Sequence, residues 1–83
     1  MKKILIGISV PSIQESFDLL VPVNMQIREL SGLIAKGLEQ VTDGHFMRSG
    51  RELLCLKEPE RLLSLTATLE NYGITDGDKL ILF

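Results

Sequence analysis

The first 22 residues alternate between apolar and polar side chains. Isoleucines occupy positions 4, 6 and 8, and the pattern resumes at Phe17, Leu19 and Val21 after a break at Pro11. A period of two places successive side chains on opposite faces of a strand. We therefore expect two strands, each with one buried face, that form an N-terminal β-hairpin.

The period changes after residue 26 and becomes helical. Apolar residues then recur every three or four positions, at Ile27, Leu30, Leu33 or Ile34, Leu38 and Val41. This spacing predicts one amphipathic helix of about four turns. We expect Asn24 to cap its first amides and Asp43 and Gly44 to end it in a left-handed conformation. Gly32 and Gly37 each cost the helix roughly 1 kcal/mol relative to alanine, and we expect close packing on a sheet to offset that cost.

The second half of the chain predicts shorter elements. We expect strands at residues 45–48 and 52–56 around a turn at 49–51, and then a charged loop at 57–61. A 3₁₀ turn at residues 70–73, closed by Gly73, precedes a last strand in which Leu80 and Leu82 face the helix. A single helix must cover its apolar stripe with one face of a sheet. The chain therefore predicts one two-layer α+β domain over residues 1–83, with a mixed sheet of four to five strands.

Composition excludes several classes of function. Nine Lys and Arg against eleven Asp and Glu give a net charge of −2, without the basic stripe that nucleic acid requires. The apolar runs are only a few residues long, far short of the roughly 20 that span a bilayer. We expect no nucleic-acid partner and no direct insertion into a membrane.

Residues able to carry catalysis or bind metal are few. His45 is the single histidine and Cys55 the single cysteine, and we expect both to be structural. The lone thiol forms no internal disulfide, which agrees with a reducing compartment. Asp76-Gly77-Asp78 is more simply a turn whose side chains accept backbone amides than a metal site. We expect neither an enzyme, nor a metal site, nor a cofactor.

Two features of the sequence resemble a known family. Residues 69–80, LENYGITDGDKL, resemble the closing segment of ubiquitin-like domains, and the order of predicted elements is the β-grasp order, ββαββ(3₁₀)β. Within that superfamily, residues 18–22 (DLLVP), 27–30 (IREL), 44–46 (GHF) and 73–78 (GITDGD) resemble the YukD/EsaB family of small bacterial ubiquitin-like proteins.

The resemblance implies a cytosolic accessory or regulatory component of the type VII secretion machinery of Gram-positive bacteria, which exports small helical WXG-motif proteins. Its partners would be cytosolic parts of secretion membrane components, and a partner would hold it at the membrane periphery. The family offers no accepted catalytic or ligand-binding residues to carry over.

Two other functions remain as alternatives. Ubiquitin and the sulfur carriers of cofactor synthesis end in a flexible Gly-Gly that an adenylating enzyme threads into its active site. Residues 80–83 end instead in Phe83, which is too bulky for such a site. We therefore expect a non-conjugating protein and keep a sulfur carrier or covalent modifier as the alternative. A scaffold in an unrelated pathway is the third interpretation.

Strand parity predicts the docking surface. Ile81 and Phe83 face away from the helix if Leu80 and Leu82 face it, and a buried Phe46 would turn Met47 outward. Ubiquitin-like domains use this outer face of the sheet as their main docking patch. The residues expected to contact a protein partner are Met47, Ile81 and Phe83, flanked by Arg48 and Arg51. In the alternative, Phe83 folds over the sheet edge and Met47 covers the neighbouring strand.

Leu5 and Leu20 share this outward parity in the first two strands. An apolar outer face that extended across the whole sheet would support self-association, and a homodimer would follow.

Overall fold

A computed structural model, which describes residues 2–83, contains five strands and one α-helix. The elements are β1 (Lys3–Val10), β2 (Glu15–Pro22), α1 (Ile27–Val41), β3 (Leu54–Leu56), β4 (Arg61–Leu62) and β5 (Lys79–Leu82). Short 3₁₀ turns lie at Pro11–Ile13 and Glu70–Tyr72. The hairpin, the helix, the second 3₁₀ turn and the last strand all lie where the sequence predicts them.

The strands form one mixed sheet in the order β2-β1-β5-β3-β4. β1 and β2 pair antiparallel along their full length, β5 lies parallel to β1, and β3 is antiparallel to both β5 and β4. The first and last strands are therefore central neighbours, and β2 and β4 are the two edges. This topology is the one that the β-grasp prediction requires.

The core lies between the sheet and the helix. Alternate residues of β1 point towards it, and Ile4, Ile6, Ile8 and Val10 are all at most 3% exposed. The other strands and the helix contribute Val21, Ile27, Leu30, Ile34, Ala35, Leu38, Leu54, Leu80 and Leu82. Burial of each large side chain stabilises the fold by roughly 1.5–3 kcal/mol. The contact between these side chains therefore holds the helix against the sheet.

The start of α1 differs from the prediction. Asn24 does not cap the helix. The amides of Ile27 and Arg28 donate instead to the carbonyls of Ala67 and Leu65, at 2.8 and 2.9 Å. The segment before the second 3₁₀ turn thus supplies acceptors that a side-chain cap would otherwise provide. The helix ends as predicted, because Asp43 and Gly44 both have positive φ.

The two helix glycines also differ from the prediction. A Cβ atom at Gly32 or Gly37 would have no heavy atom within 4 Å, helix backbone and chain neighbours aside. Close packing therefore does not explain either glycine, and the prediction that it offsets their cost is wrong.

Residues 45–48 do not form the predicted strand. The side chain of Thr42 accepts the Phe46 amide at 2.9 Å, and Glu39 accepts the Arg48 amide at 3.1 Å. Phe46 is buried in the core. Backbone donors that a strand would give to a neighbouring strand are thus bound to side chains at the end of α1. The third strand is the later one, Leu54–Leu56, and the charged segment after it is the turn that leads to β4.

Across residues 2–83, no helix combines the length and the apolar character that crossing a membrane requires.

Candidate docking surface

One row of side chains crosses the outer face of the sheet, the face that α1 does not cover. Residues paired across neighbouring strands share a face, and the pairings Ser16–Ser9, Ser9–Ile81, Ile81–Cys55 and Cys55–Leu62 join all five strands. The row begins with two serines at β2 and becomes apolar from β5 onwards. The apolar part of the outer face therefore lies at the β5-β3-β4 side.

A second apolar pair extends this region. Leu53 and Phe83 exchange two backbone hydrogen bonds, of 3.1 and 2.9 Å, immediately beyond β3 and β5. Both side chains remain partly in solvent, with 39% of Leu53 and 59% of Phe83 exposed. The five residues that we call the sheet-face patch are Leu53, Cys55, Leu62, Ile81 and Phe83.

The patch has an exposed rim and a closed centre. Leu62 on the edge strand β4 is 58% exposed, whereas Cys55 between Leu62 and Ile81 is only 8% exposed. Burial, together with the negative charge of Glu60, raises the pKa of the Cys55 thiol above its ordinary value of 9.0. The thiol is therefore neutral near pH 7 and contributes as a small apolar residue rather than as a nucleophile.

A row of charged side chains, formed by Asp18, Lys79 and Lys57, crosses the outer face next to the patch. Lys79 lies flat across Gly7, and its Cδ would be 2.9 Å from a Cβ at that position. Gly7 pairs with Asp18 on β2, and the amide of Lys57 donates to the Lys79 carbonyl. This charged row separates the sheet-face patch from the exposed pair Leu5 and Leu20. The expectation of an apolar face across the whole sheet is therefore wrong, because charged side chains interrupt it.

The five predicted docking residues do not lie together in the structure. Ile81 and Phe83 lie in the sheet-face patch. Met47 and Arg48 lie beside the end of α1, where Arg48 Nε is 3.8 Å from Glu39 Oε1. The prediction that Met47 shares the outer face with Ile81 is wrong, because residues 45–48 are not a strand and Met47 lies with Glu39 and Asp43 at the end of α1. Arg51 lies in the exposed turn that precedes Leu53.

Sequence reasoning missed Leu53, Cys55 and Leu62. The signal was present, since residues 53–56 form an unbroken apolar run and a strand can bury only alternate members of such a run. Parity applied to the predicted strand at 52–56 would have placed Leu53 and Cys55 on the outer face. The exposure of Leu62 on this face was not predictable from the pattern, because its two-residue strand follows a charged segment.

The remaining candidate residues have local structural partners. Asp76 accepts the Leu5 amide at 2.7 Å, and Asp78 accepts the Thr75 amide at 2.8 Å. The interpretation of this acidic segment as a turn that binds backbone amides is confirmed. His45 is exposed in the turn after α1. Among the described residues, no three side chains of the His, Cys, Asp and Glu types come together as a metal site would require.

Solved structures similar to this chain are ubiquitin-like domains. The EccD5 ubiquitin-like domain from Mycobacterium xenopi superposes with a TM-score of 0.72 at 17% identity, over 100% of this chain and 94% of that one. Caldiarchaeum subterraneum ubiquitin gives a TM-score of 0.69 at 23% identity, over 98% of this chain and 91% of that one. These likenesses show that the fold is the ubiquitin-like β-grasp, as predicted.

A third similar structure is the MycP5-free ESX-5 inner membrane complex. One of its chains superposes with a TM-score of 0.71 at 19% identity. All of this chain is covered, but only 21% of the chain in that complex.

Family membership rests on the sequence itself. No curated protein sequence is similar enough to count as a relative. Residues 5–82, however, match the family described as WXG100 protein secretion system (Wss), protein YukD, as the resemblance in the sequence predicts. The chain therefore belongs to the YukD family, and it is a ubiquitin-like protein associated with type VII secretion.

Proposed function

We propose that this protein is a non-conjugating docking module that acts as an accessory or regulatory component of a type VII secretion system in the cytosol. It binds a cytosolic part of a membrane component through the sheet-face patch. It has no catalytic role, and its effect on secretion comes from the partner that it holds.

The observation that carries the proposal is the exposure of three large apolar side chains around Ile81. Leu53, Leu62 and Phe83 lie on one face of the sheet, beside a closed centre and apart from the core. Apolar clusters of this kind often mark protein interfaces. A partner that covers them removes apolar surface from water at roughly 25 cal/mol per Å².

The choice of partner rests on the family and on one structural neighbour. The family is that of a WXG100 secretion system, and a chain of an ESX-5 inner membrane complex has this fold over 21% of its length. A domain of this fold therefore occurs within a membrane complex of that kind. This supports a partner among the membrane components rather than among the exported proteins.

The two side chains that could act in nucleophilic catalysis, Cys55 and His45, are poorly suited to it. The thiol of Cys55 is buried with a raised pKa, and His45 lies exposed in a turn. Within residues 2–83 no hydrogen bond or ion pair joins either side chain to the second group that nucleophilic catalysis requires. This supports action by binding.

Site-specific photo-crosslinking tests the proposal in cells that carry the secretion system. A photoreactive amino acid replaces Leu62 in one strain and Leu5 in another, because both side chains are exposed on the outer face but only Leu62 belongs to the patch. We expect position 62 to crosslink to a membrane component of the secretion system and position 5 not to do so.

The intact mass of the uncrosslinked protein is measured in the same experiment. An unmodified mass agrees with a docking module. A thiocarboxylate, or a covalent link formed without light, would contradict the proposal and favour the sulfur-carrier or modifier alternative. Equal crosslinking from positions 5 and 62 would contradict the assignment of the patch.

A further inference from the structure

The edge strand β2 presents open backbone hydrogen-bonding groups. The Val23 amide donates to the Lys2 carbonyl at 3.1 Å, which shows that odd-numbered residues here direct their backbone towards β1. Ser16, Asp18 and Leu20 therefore direct theirs to the opposite side. Within residues 2–83 no strand, turn or side chain bonds to these backbone groups.

Strand β2 lacks most features that protect an edge. Natural edges are blocked by lysine, by proline within the strand or by a short length. β2 has eight residues and no lysine, and its proline, Pro22, is the last residue. Its edge is therefore able to pair with another strand.

An apolar groove runs along the same edge on the helix side. Phe17, Leu19 and Val21 from β2 form one wall, and Leu33, Gly37 and Val41 from α1 form the other. Leu33 and Val41 are 51% and 72% exposed, although both fit the apolar period of the helix. The groove encloses about 260 Å³, below the roughly 300–1,000 Å³ of pockets that hold drug-sized ligands. Its size suits single side chains.

Gly37 keeps the groove open. The three helix residues are spaced four apart, so they lie on one side of the helix. A larger side chain at position 37 would project into space that is empty, since no heavy atom lies within 4 Å of a Cβ there. A mid-helix glycine that packs against nothing costs stability. Glycine at position 37 is therefore explained by the open groove, which a larger side chain would fill.

The charges beside the edge favour a basic occupant. Glu15 and Asp18 are the charged residues of β2, and both are acidic. A second copy of this chain paired through β2 would bring four acidic side chains together with no basic residue in either strand. Like charges on adjacent strands are destabilising. Complementarity therefore favours a different chain that carries lysine or arginine.

We propose that the β2 edge and its groove bind an extended segment of another protein as a sixth strand of the sheet. Alternate apolar side chains of that segment fill the groove, and basic side chains on its other face pair with Asp18. Main-chain hydrogen bonds to Ser16, Asp18 and Leu20 hold it, as in other cases of strand addition. This surface is distinct from the sheet-face patch, from which β1 separates it, and the inference stands independently of the proposed function.

Titration of the isotope-labelled protein with synthetic peptides tests the inference by NMR. The probe is a blocked peptide of four valine–lysine repeats, and the matched peptide has four valine–glutamate repeats. We expect the valine–lysine peptide to give saturable shifts at the amides of Ser16, Asp18 and Leu20, with slower hydrogen exchange at these amides. The valine–glutamate peptide should bind at least tenfold more weakly.

Two pairs of variants test whether the peptide occupies the groove and whether Asp18 determines its preference for basic side chains. Gly37→Leu should weaken binding of the valine–lysine peptide at least tenfold, whereas Gly32→Leu, which has equal free space on another side of α1, should leave it unchanged. Asp18→Lys should reverse the preference between the two peptides, whereas Asp43→Lys should not. Amide spectra of the free variants establish that each is folded.

Three results would overturn the inference. The first is a set of shifts centred on Ile81 and Leu62 instead of on β2. The second is absence of saturable binding by either peptide to the folded protein. The third is a dimer of the free protein, seen by sedimentation, that Gly37→Leu dissociates, because a second copy would then be the occupant.

Discussion

Tyr72 shows how a single residue of the family-like segment supports the fold. Its hydroxyl accepts the backbone amide of Ser64 at 2.8 Å, and the guanidinium of Arg61 lies 5.0 Å from the centre of its ring. The tyrosine thereby joins the end of β4 to the 3₁₀ turn before β5. The sequence resemblance predicted the presence of this turn, but not its partners, because Ser64 and Arg61 carry no pattern of their own.

The Glu52 carboxylate stabilises the turn that precedes the sheet-face patch by accepting hydrogen bonds from Ser49. Burial would raise the pKa of its carboxyl group, but hydrogen bonds from the backbone and side chain of Ser49 outweigh burial and lower it below the ordinary value of 4.5. A lowered folded-state pKa means that the ionised carboxylate stabilises the folded state above the unfolded pKa. That contribution is lost as the pH falls through the folded pKa.

We therefore predict a pH-dependent effect of Glu52→Gln. The variant should have a lower free energy of unfolding than the wild type at pH 7, by less than about 1 kcal/mol because the site is mostly solvated. The difference should vanish as the pH falls from about 4.5 towards 3. Urea denaturation of both proteins across this range measures it, and a difference that does not change with pH would contradict the argument.

At the scale of elements, α1 was the most predictable part of the chain. Its observed bounds, Ile27–Val41, are those that the apolar period indicates. The period did not show which apolar residues are buried, and it left Leu33 and Ile34 as alternatives. In the structure Ile34 is buried, whereas Leu33 and Val41 are exposed. A helix that rests on one side of a sheet covers only part of a wide apolar stripe, and the remainder forms a wall of the groove.

The helix glycines allow a prediction about stability. Gly32→Ala should raise the free energy of unfolding by about 0.5–1 kcal/mol, because it removes backbone freedom from the unfolded chain and meets no neighbour in the folded one. This would raise the melting temperature by several degrees, at roughly 4–8 °C per kcal/mol.

A matched substitution at Gly73 should have the opposite sign. Gly73 also has free space around it, but its φ of +68° is unfavourable for alanine, at a cost of roughly 1–2 kcal/mol. Thermal denaturation compares the two variants directly. A destabilised Gly32→Ala protein would show that position 32 is not open as described.

The local sequence pattern at residues 45–48 does not distinguish a short strand from a loop. Its apolar and polar residues suit a short strand, but Thr42 and Glu39 on the preceding helix bind the amides of Phe46 and Arg48. These contacts depend on how the chain turns after the helix, which no periodicity reports. The strand that pairs with β5 on this side is Leu54–Leu56, which lies in an unbroken apolar run without the alternation that marks a buried face.

At the scale of the whole molecule, the sheet order explains why two surfaces exist. β5 and β1 occupy the centre, so β3 and β4 extend the outer face on one side and β2 leaves an open edge on the other. The sequence predicted Ile81 and Phe83 on the outer face because parity within one strand requires only local information. It misplaced Met47 and missed Leu62, because their positions depend on pairing between distant strands.

The sheet-face patch and the β2 groove lie far enough apart in the sheet for separate segments to occupy them. The groove lies on the helix side of β2, whereas the patch lies on the outer face of β5, β3 and β4. The charged residues of β2 are Glu15 and Asp18, and Asp18 lies on the outer face with Lys57 and Lys79.

The central claim is that the sheet-face patch binds a cytosolic domain of a secretion membrane component. The most direct measurement is calorimetric titration of that purified domain with the wild-type protein, Leu62→Asp and the control Leu5→Asp. Both substitutions place a charge at an exposed leucine of the outer face, so they should leave the fold intact, as thermal denaturation will verify. We predict that Leu62→Asp lowers the affinity at least tenfold, because it places an unpaired charge inside an apolar interface, while Leu5→Asp leaves it unchanged. Equal affinities of the wild type and a folded Leu62→Asp protein would contradict the account.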